Sequence, residues 1–446
     1  MTSICLDGHN LALPTGSGIA TYARSLIQTI QGIGLRAEVL YGPPTPVSPD
    51  PLLREVAVSD ARLRARALTL AQPNRHLQVA FARFGRTLKH VEPSGRVVWP
   101  EGAAFPPADG FWLNDNLFRI ASRAYSDTRI MTPVRFSAEA PAPAIMHWTY
   151  PAPVVARGVP NVYTIHDLIP LKLPHTTLDD KRRYLDLCTA IARKADHIVT
   201  VSEATRRDVI ELLGVDEDRV TTTWQTVDID DLSTSRDHET IARELEDVFD
   251  VEWKGYFLFF GAIEPKKNLR RLVEAYLRSG VKTPLLIVGG KAWLNEEETG
   301  FLDELITSGR GAAAERLRRY DYLPRSVLLD LIRGARATFF PSLYEGFGLP
   351  VLESMVLGTP VLASNAGSLP EIAGDAAVLV DPYNIEDMAR AITALDADEE
   401  ARDEHARLGR LQADQFTPDA YRCRVSNLYR KLGVSGRNDE LAPTLC

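Results

Sequence analysis

Residues 337–355 read ATFFPSLYEGFGLPVLESM. The apolar run ATFF gives way to a glycine-bearing loop and then to LPVLESM, which has the composition of a helix. Pro350 suits the first turn of that helix, where its missing N–H is harmless. Gly346 and Gly348 let the backbone turn tightly and approach a ligand unobstructed. The amides of Gly348 and Leu349 then point out of a helix N-terminus, a ready anion site. Glu345 precedes this site and Glu353 is expected in the first helical turn. The chain has 59 acidic residues, so such a spacing also arises by chance, and a glutamate near a helix start is stabilising in itself. The glycines and proline between them favour two carboxylates around a phosphate-sized site.

Strand, loop and helix recur outward from this unit. Upstream, YFLFFGA is a strand, NLRRLVEAYLRSG a helix, PLLIVGG a strand and NEEETGFLDELITSG a helix; a short strand near 319–323 and a helix over 326–333 follow. Downstream, PVLASN and AAVLVDP are strands and 385–395 is a helix. The first half has the same rhythm: SICLDG, AEVLYG, AIMHWT, NVYTIHD, HIVTVS and VTTTWQ as strands, with helices over 19–30, 181–195 and EATRRDVIELLG. Ser202 is placed to cap that last helix, and Gly214 to end it. Residues 41–144 are poorly patterned, and 227–251 reads as a polar linker. Alternating strands and helices predict mostly parallel sheets covered on both faces. The fold class is therefore α/β, two Rossmann-like doubly wound domains over 1–228 and 229–417. Such sheets bind ligands at the carboxyl ends of their strands.

Two domains fit a chain of 446 residues. A formal net charge of -8 argues against nucleic acid as a partner. No window approaches the run of about 20 apolar residues that spans a bilayer, and the N-terminus lacks the basic and apolar regions of a signal peptide. Four scattered cysteines, Cys5, Cys188, Cys423 and Cys446, suggest neither a disulfide framework nor a zinc site and suit a reducing cytoplasm. Residues 61–91 hold seven Arg and Lys, no Asp or Glu, and interleaved Leu, Val and Phe. That stretch reads as a peripheral contact with an anionic membrane, a solvated helix pair, or the lining of a cleft for an anion.

Three other strand ends carry polar groups. After YFLFFGA comes IEPKKNLRRL, with Lys266 and Lys267 at a helix start and Asn268 as the expected N-cap. Cations there oppose the helix dipole, a penalty that a bound diphosphate would reverse; two solvated lysines on a turn are the plain alternative. His166 and Asp167 end TIHD. His166 either bonds a sugar hydroxyl or is a satisfied structural histidine, and Asp167 either orients the ring or caps the next turn. TGSGIATYA, with Gly16 and Gly18, is a loop before a helix. It lacks the third glycine of a dinucleotide fingerprint and reads as a phosphate or substrate loop, or as a turn.

Together, FFPSLYEGFGLPVLESMVLGTPVLASNAGSLPEIAGDAAVLVDP, GAIEPKKNL, VYTIHDLIP and HIVTVSEATRRDV closely resemble the family-four retaining glycosyltransferases. The match runs from about 145 to 382, with the loop at 15–23; residues 41–144 match nothing in it. The resemblance implies the GT-B fold, two domains facing across a cleft, with a C-terminal helix near 418–434 crossing back to the first. It implies Glu345 near the transferred sugar, and backbone of Phe347, Gly348 and Leu349 on sugar hydroxyls and phosphate. Glu353 would hold the ribose, Lys267 the diphosphate and His166 the sugar from the opposite domain. Gly16 and Gly18 would approach phosphate or acceptor, and backbone near Tyr322 and Leu323 the base. Lys266 stands where the family has arginine, which removes a bidentate fork. Asp321 replaces a glycine, and QTVD a Pro-Gly.

The resemblance further implies a metal-independent, retaining transfer from a GDP- or UDP-linked sugar, with no other cofactor. The expected sugar is a hexose, mannose, passed to a lipid-linked oligosaccharide or other glycan acceptor in bacterial polysaccharide assembly on the inner membrane face. No DxD metal motif sits at a suitable strand end. An epimerase or phosphorylase of the same fold, or a non-catalytic nucleotide-sugar-binding protein, is the alternative.

Overall fold

The computed structural model describes residues 2–12, 18–42, 47–59, 75–99, 108–227, 236–290 and 316–437, with 229, 300, 302 and 305. Gly16, residues 61–74 and most of the helix expected over 295–309 lie outside them.

Short apolar runs such as FLFF, LLIV, NVYTI and HIVT are buried along their whole length, as befits strands covered on both faces. They assemble into two sheets. The first has ten strands, in the order Val220–Thr222, His197–Thr200, Asn161–Ile165, Ile145–Trp148, Ser3–Asp7, Arg36–Tyr41, Gly110–Leu113, Arg86–Val91, Thr132–Phe136 and Val154–Ala156. Every pairing is parallel except Arg86–Val91 against Gly110–Leu113. The second has six parallel strands, in the order Leu317–Tyr320, Leu285–Val288, Phe257–Phe260, Ala337–Phe340, Val361–Ser364 and Ala377–Val380. Both orders step outward from a central strand in two directions, the doubly wound arrangement whose switch point opens a crevice at the carboxyl strand ends. All strands of the first sheet come from residues 3–222 and all of the second from 257–380.

The helix Pro418–Lys431 starts on Thr417, whose hydroxyl accepts from Ala420 N. It packs on the first helix, Gly18–Gly32, and Tyr421, Val425, Leu428 and Tyr429 join Tyr22, Leu26 and Ile27 in one apolar core. His147, Tyr429, Thr164 and Tyr22 form a buried hydrogen-bonded chain at this seam. His147 Nδ1 meets Tyr429 Oη at 2.8 Å and its Nε2 meets Thr164 Oγ1 at 2.9 Å. Tyr22 Oη lies 2.9 Å from the same hydroxyl.

Three expectations change. The polar stretch 227–251 contains the helix His238–Phe249, capped by Asp237 and burying Ile241, Leu245 and Phe249. Its apolar positions recur every fourth residue, so one narrow stripe suffices to dock it. Residues 75–91 are not one amphipathic surface: a short helix, Arg75–Phe81, precedes a strand inside the first sheet. Arg86 there pairs with Asp115 at 2.7 Å and Lys89 with Glu139 at 2.9 Å. Cys5 and Cys188 are buried free thiols, but Cys423 is disulfide-bonded, which the spacing had not suggested. Among the described residues no helix is long and apolar enough to cross a membrane.

Candidate active site

The strand Phe257–Phe260 ends at Gly261, whose φ of 135° only glycine tolerates readily. The chain then makes a single tight turn, Pro265–Lys267, before the helix Leu269–Ser279. Asn268 occupies the N-cap position at φ 60° but makes no side-chain capping bond. Its amide instead donates to the carbonyls of Pro341 and Pro382, at 2.9 and 2.7 Å. This ties the lysine turn to the ends of two neighbouring strands. Leu343 N donates to Lys266 O at 2.7 Å, joining the turn to the loop after Ala337–Phe340.

That link brings Lys267 to Glu345. Lys267 Nζ lies 2.6 Å from Glu345 Oε1, with both side chains largely buried. Lys266 Nζ lies 3.3 Å from Glu264 Oε1. Burial pushes the Glu345 carboxyl up, but Lys267 and Lys266 outweigh it and hold the group below its ordinary value. Burial pulls Lys266 down, and Glu345, Asp167 and Glu264 reverse the effect. Glu345 and Lys266 are therefore held in their charged forms, in a poorly hydrated place where charges act strongly.

The loop between the glutamates is held from behind. Ser368 N and Oγ both donate to Glu345 O, at 3.2 and 3.0 Å, and Ser368 Oγ also reaches Phe347 O at 2.6 Å. A Cβ on Gly367 would stand 2.9 Å from Glu345 N and O, so the two backbones touch only because this residue is glycine. The Phe347 ring is buried edge-on to Phe416 at 5.8 Å. Its side chain serves the core and its carbonyl is already used by Ser368. Gly348, at φ 115°, precedes the helix Leu349–Val356, whose first amides the helix itself does not need.

Glu353 sits in the second turn of that helix, not the first, and is paired. Arg325 Nη2 approaches its Oε1 at 2.7 Å, yet burial still raises the Glu353 pKa. Arg325 starts the helix Arg325–Gly334, two residues after Leu323. Leu323 packs on the core, while Tyr322 is 82% exposed.

Across the cleft, His166 follows the strand Asn161–Ile165. Its Nε2 lies 2.9 Å from Thr149 O and its ring stands perpendicular to Tyr22, centroids 4.9 Å apart. Burial lowers its pKa. A carbonyl can only accept, so Nε2 carries the proton and Nδ1 is left as an acceptor. Asp167 caps the next turn, accepting from Ile169 N at 3.0 Å. The halves meet here. A Cβ on Gly346 would stand 2.2 Å from His166 O, and Thr205 Oγ1 donates to both His166 O, at 3.1 Å, and Gly346 O, at 3.3 Å. Gly18 opens the first helix with open space around its Cα.

Lys267, Lys266, Glu345, Gly346 and His166 thus converge on one crevice, while Glu353, Tyr322, Leu323 and Arg325 belong to the flank along Leu317–Tyr320. Sequence reading passed over Ser368, Gly367 and Arg325. Ser368 lies within the motif NAGSLPE, but nothing local says that its hydroxyl reaches back 23 residues.

Two facing doubly wound sheets, a shared crevice at their carboxyl strand ends and a helix crossing back define the GT-B class of glycosyltransferases. The likeness extends to solved structures over nearly the whole chain. A sucrose-phosphate synthase from Thermosynechococcus elongatus shares 17% identity at a TM-score of 0.65, covering 97% of this chain and 99% of that one. Anabaena HepE in complex with UDP shares 15% at 0.60, covering 96% and 100%. Residues 16–231 match the model of Glycosyltransferase Family 4 and residues 243–412 that of Glycosyl transferases group 1. The O-antigen chain mannosyltransferase B of Escherichia coli is 32% identical over 276 residues, 61% of this chain and 70% of that one. The serotype-specific mannosyltransferase WbdA of Escherichia coli is 29% identical over 255 residues, 56% of this chain but only 31% of that longer protein. The chain belongs to the family-four glycosyltransferases, and it is a glycosyltransferase.

Proposed function

We propose that the protein transfers a hexose, mannose, from a GDP- or UDP-linked donor to a hydroxyl of a lipid-linked oligosaccharide or other glycan acceptor. The reaction retains anomeric configuration, needs no metal and serves bacterial O-antigen or exopolysaccharide assembly. The buried Lys267–Glu345 pair carries this reading, because it places a cation and a carboxylate together opposite His166. The mannosyltransferase names of two relatives support the sugar, and a UDP complex among the fold neighbours supports a nucleotide donor.

The roles follow from charge. As the bond from the anomeric carbon to the diphosphate breaks, its electron pair goes to the phosphate oxygen. Lys267 and the amides of Gly348 and Leu349 receive that charge, which is preorganised electrostatic stabilisation. Lys266 adds to the positive field. Glu345 stabilises positive charge growing on the anomeric carbon. The acceptor oxygen bonds to that carbon from the same face and its proton passes to the departing phosphate. His166 meets a sugar hydroxyl through Nδ1. Glu353 holds the ribose, with Arg325 neutralising it until then, and backbone at Tyr322 and Leu323 faces the base. The N-terminal loop, with Gly16 and Gly18, faces the phosphate or acceptor.

The test is radiolabelled sugar transfer from GDP-mannose and UDP-sugars to a membrane lipid extract, with product analysis. Glu345→Ala and Lys267→Ala should each lower kcat/KM by about 100-fold or more, the scale of losing one preorganised transition-state partner. Near-normal turnover by either folded variant overturns the assignment, and product formed without acceptor points to an epimerase or phosphorylase.

A further inference from the structure

The helix Glu203–Leu213 belongs to the first half but grips the second at three successive places. Its N-terminus presents backbone amides that need partners. Ser202 Oγ accepts from Thr205 N at 3.0 Å, as the sequence suggested. The two amides before it are capped from across the cleft: Glu371 Oε1 accepts from Glu203 N at 2.8 Å and Oε2 from Ala204 N at 3.2 Å. Glu371 Oε1 also accepts from Trp224 Nε1 at 2.5 Å. Trp224 precedes the connection between the halves and has φ 56°, an uncommon conformation for a bulky residue. The Arg424 guanidinium, from the helix that crosses back, lies 4.6 Å over its ring.

One residue further along, Thr205 spans His166 O and Gly346 O. Next, Asp208 accepts from Tyr344 Oη and, at 2.6 Å, from Lys172 Nζ. The grips on residues 344 and 346 lie on either side of Glu345. The third, at Glu371, is tied to the same loop through Ser368, which donates to Glu345 O. Opening the cleft would uncap a helix, leave the Glu371 carboxylate without these partners and Asp208 with Lys172 alone, and release the loop. We infer that this helix is a cross-domain clamp, and that Glu371, Asp208 and Tyr344 are positioning residues that hold the Glu345 loop against His166. The closure rests on geometry alone; its kinetic consequence rests on the transfer reaction proposed above.

The test uses the full chain with Glu371→Ala, Glu371→Gln and Tyr344→Phe. X-ray scattering without substrate should give a larger radius of gyration for Glu371→Ala and Tyr344→Phe than for wild type. With the nucleotide sugar that wild type turns over, kcat should fall about tenfold in both, the scale of one hydrogen bond to a charged group. Donor KM should stay within about twofold, because most of the donor groups proposed above lie on the second half. Glu371→Gln, which keeps an acceptor for the helix amides, should recover most of the loss. Unchanged compactness with kcat within twofold overturns the clamp, as does a lowered melting temperature with no split between kcat and KM. Tyr344→Phe decides the matter if Glu371→Ala fails to fold. If wild type transfers no sugar, scattering alone decides the clamp and the proposed reaction fails separately.

Discussion

Replacing Gly346 by alanine adds one methyl group at the point where the two halves touch. That carbon would lie 2.2 Å from His166 O and 3.0 Å from Asp167 Cβ. A carbon and a carbonyl oxygen approach no closer than roughly 3.3 Å in ordinary contacts, so the gap must widen by about 1 Å. Neither side can yield by changing rotamer, because the obstructing oxygen is backbone. Gly346 is not among the glycines with positive φ, so alanine meets no conformational penalty and the effect is steric. A displacement of about 1 Å at a reacting centre costs on the order of 100-fold in rate. Gly346→Ala should therefore lose about two orders of magnitude in kcat, while nucleotide affinity by calorimetry stays within threefold and the melting temperature shifts little. Turnover within threefold of wild type would refute the claim that this contact sets the closed geometry.

Two further outcomes are expected. Burial, with repulsion from His197 and His166, lowers the His147 pKa to about 3. Below an ordinary value of 6.5 the unfolded chain takes up a proton that the folded one refuses, so this stability is full above pH 6.5 and is lost as pH falls. The loss from this one group reaches about 2 kcal/mol at pH 5, and His147→Gln should flatten the acid limb of stability measured by urea unfolding; an unchanged limb counts against it. Leu77 and Phe81 lie one turn apart and exposed, beside an exposed Phe84 whose ring carries the Arg83 guanidinium at 4.8 Å. If this patch makes the proposed membrane contact, a Leu77→Ser/Phe81→Ser/Phe84→Ser variant should float less with anionic liposomes, and equal flotation removes the patch from the reading.

The parts legible in the sequence share one property: they are local. Strands of the second half are short β-branched or aromatic runs, and the EGFGLP and EPKKN loops carry glycine and proline where the backbone must turn. Ser202 and Gly214 bounded their helix as read, because a cap is a contact over three or four residues. What stayed hidden depends on distant pairing. Arg325 becomes a partner of Glu353 only when two helices pack, and Glu371 becomes a helix cap only when two domains close. Phe347 was expected to offer its backbone to a ligand, and nothing local shows that its ring packs on Phe416. The helix His238–Phe249 was missed for another reason: acidic residues fill its exposed face, and its apolar stripe is narrow and only three residues long. The strands Arg86–Val91 and Gly110–Leu113 sit within residues 41–144, whose patterning is weak, and only their pairing reveals them.

The helix Pro418–Lys431 completes a core begun by Tyr22, Leu26 and Ile27, almost the whole chain earlier. During synthesis the first sheet is finished at Thr222, yet roughly 200 further residues must be made before Tyr421 emerges. At about 5–20 residues per second that delay is on the order of 10–40 s. Throughout it, one face of the first helix stays bare, and the His147–Thr164 pair lacks Tyr429. The second half can fold within this interval, because the last strand of its sheet ends at Val380, before Tyr421 is made. The helix Pro418–Lys431 then closes a domain whose strands are made well before it, so early folding of the first half is provisional until this helix emerges.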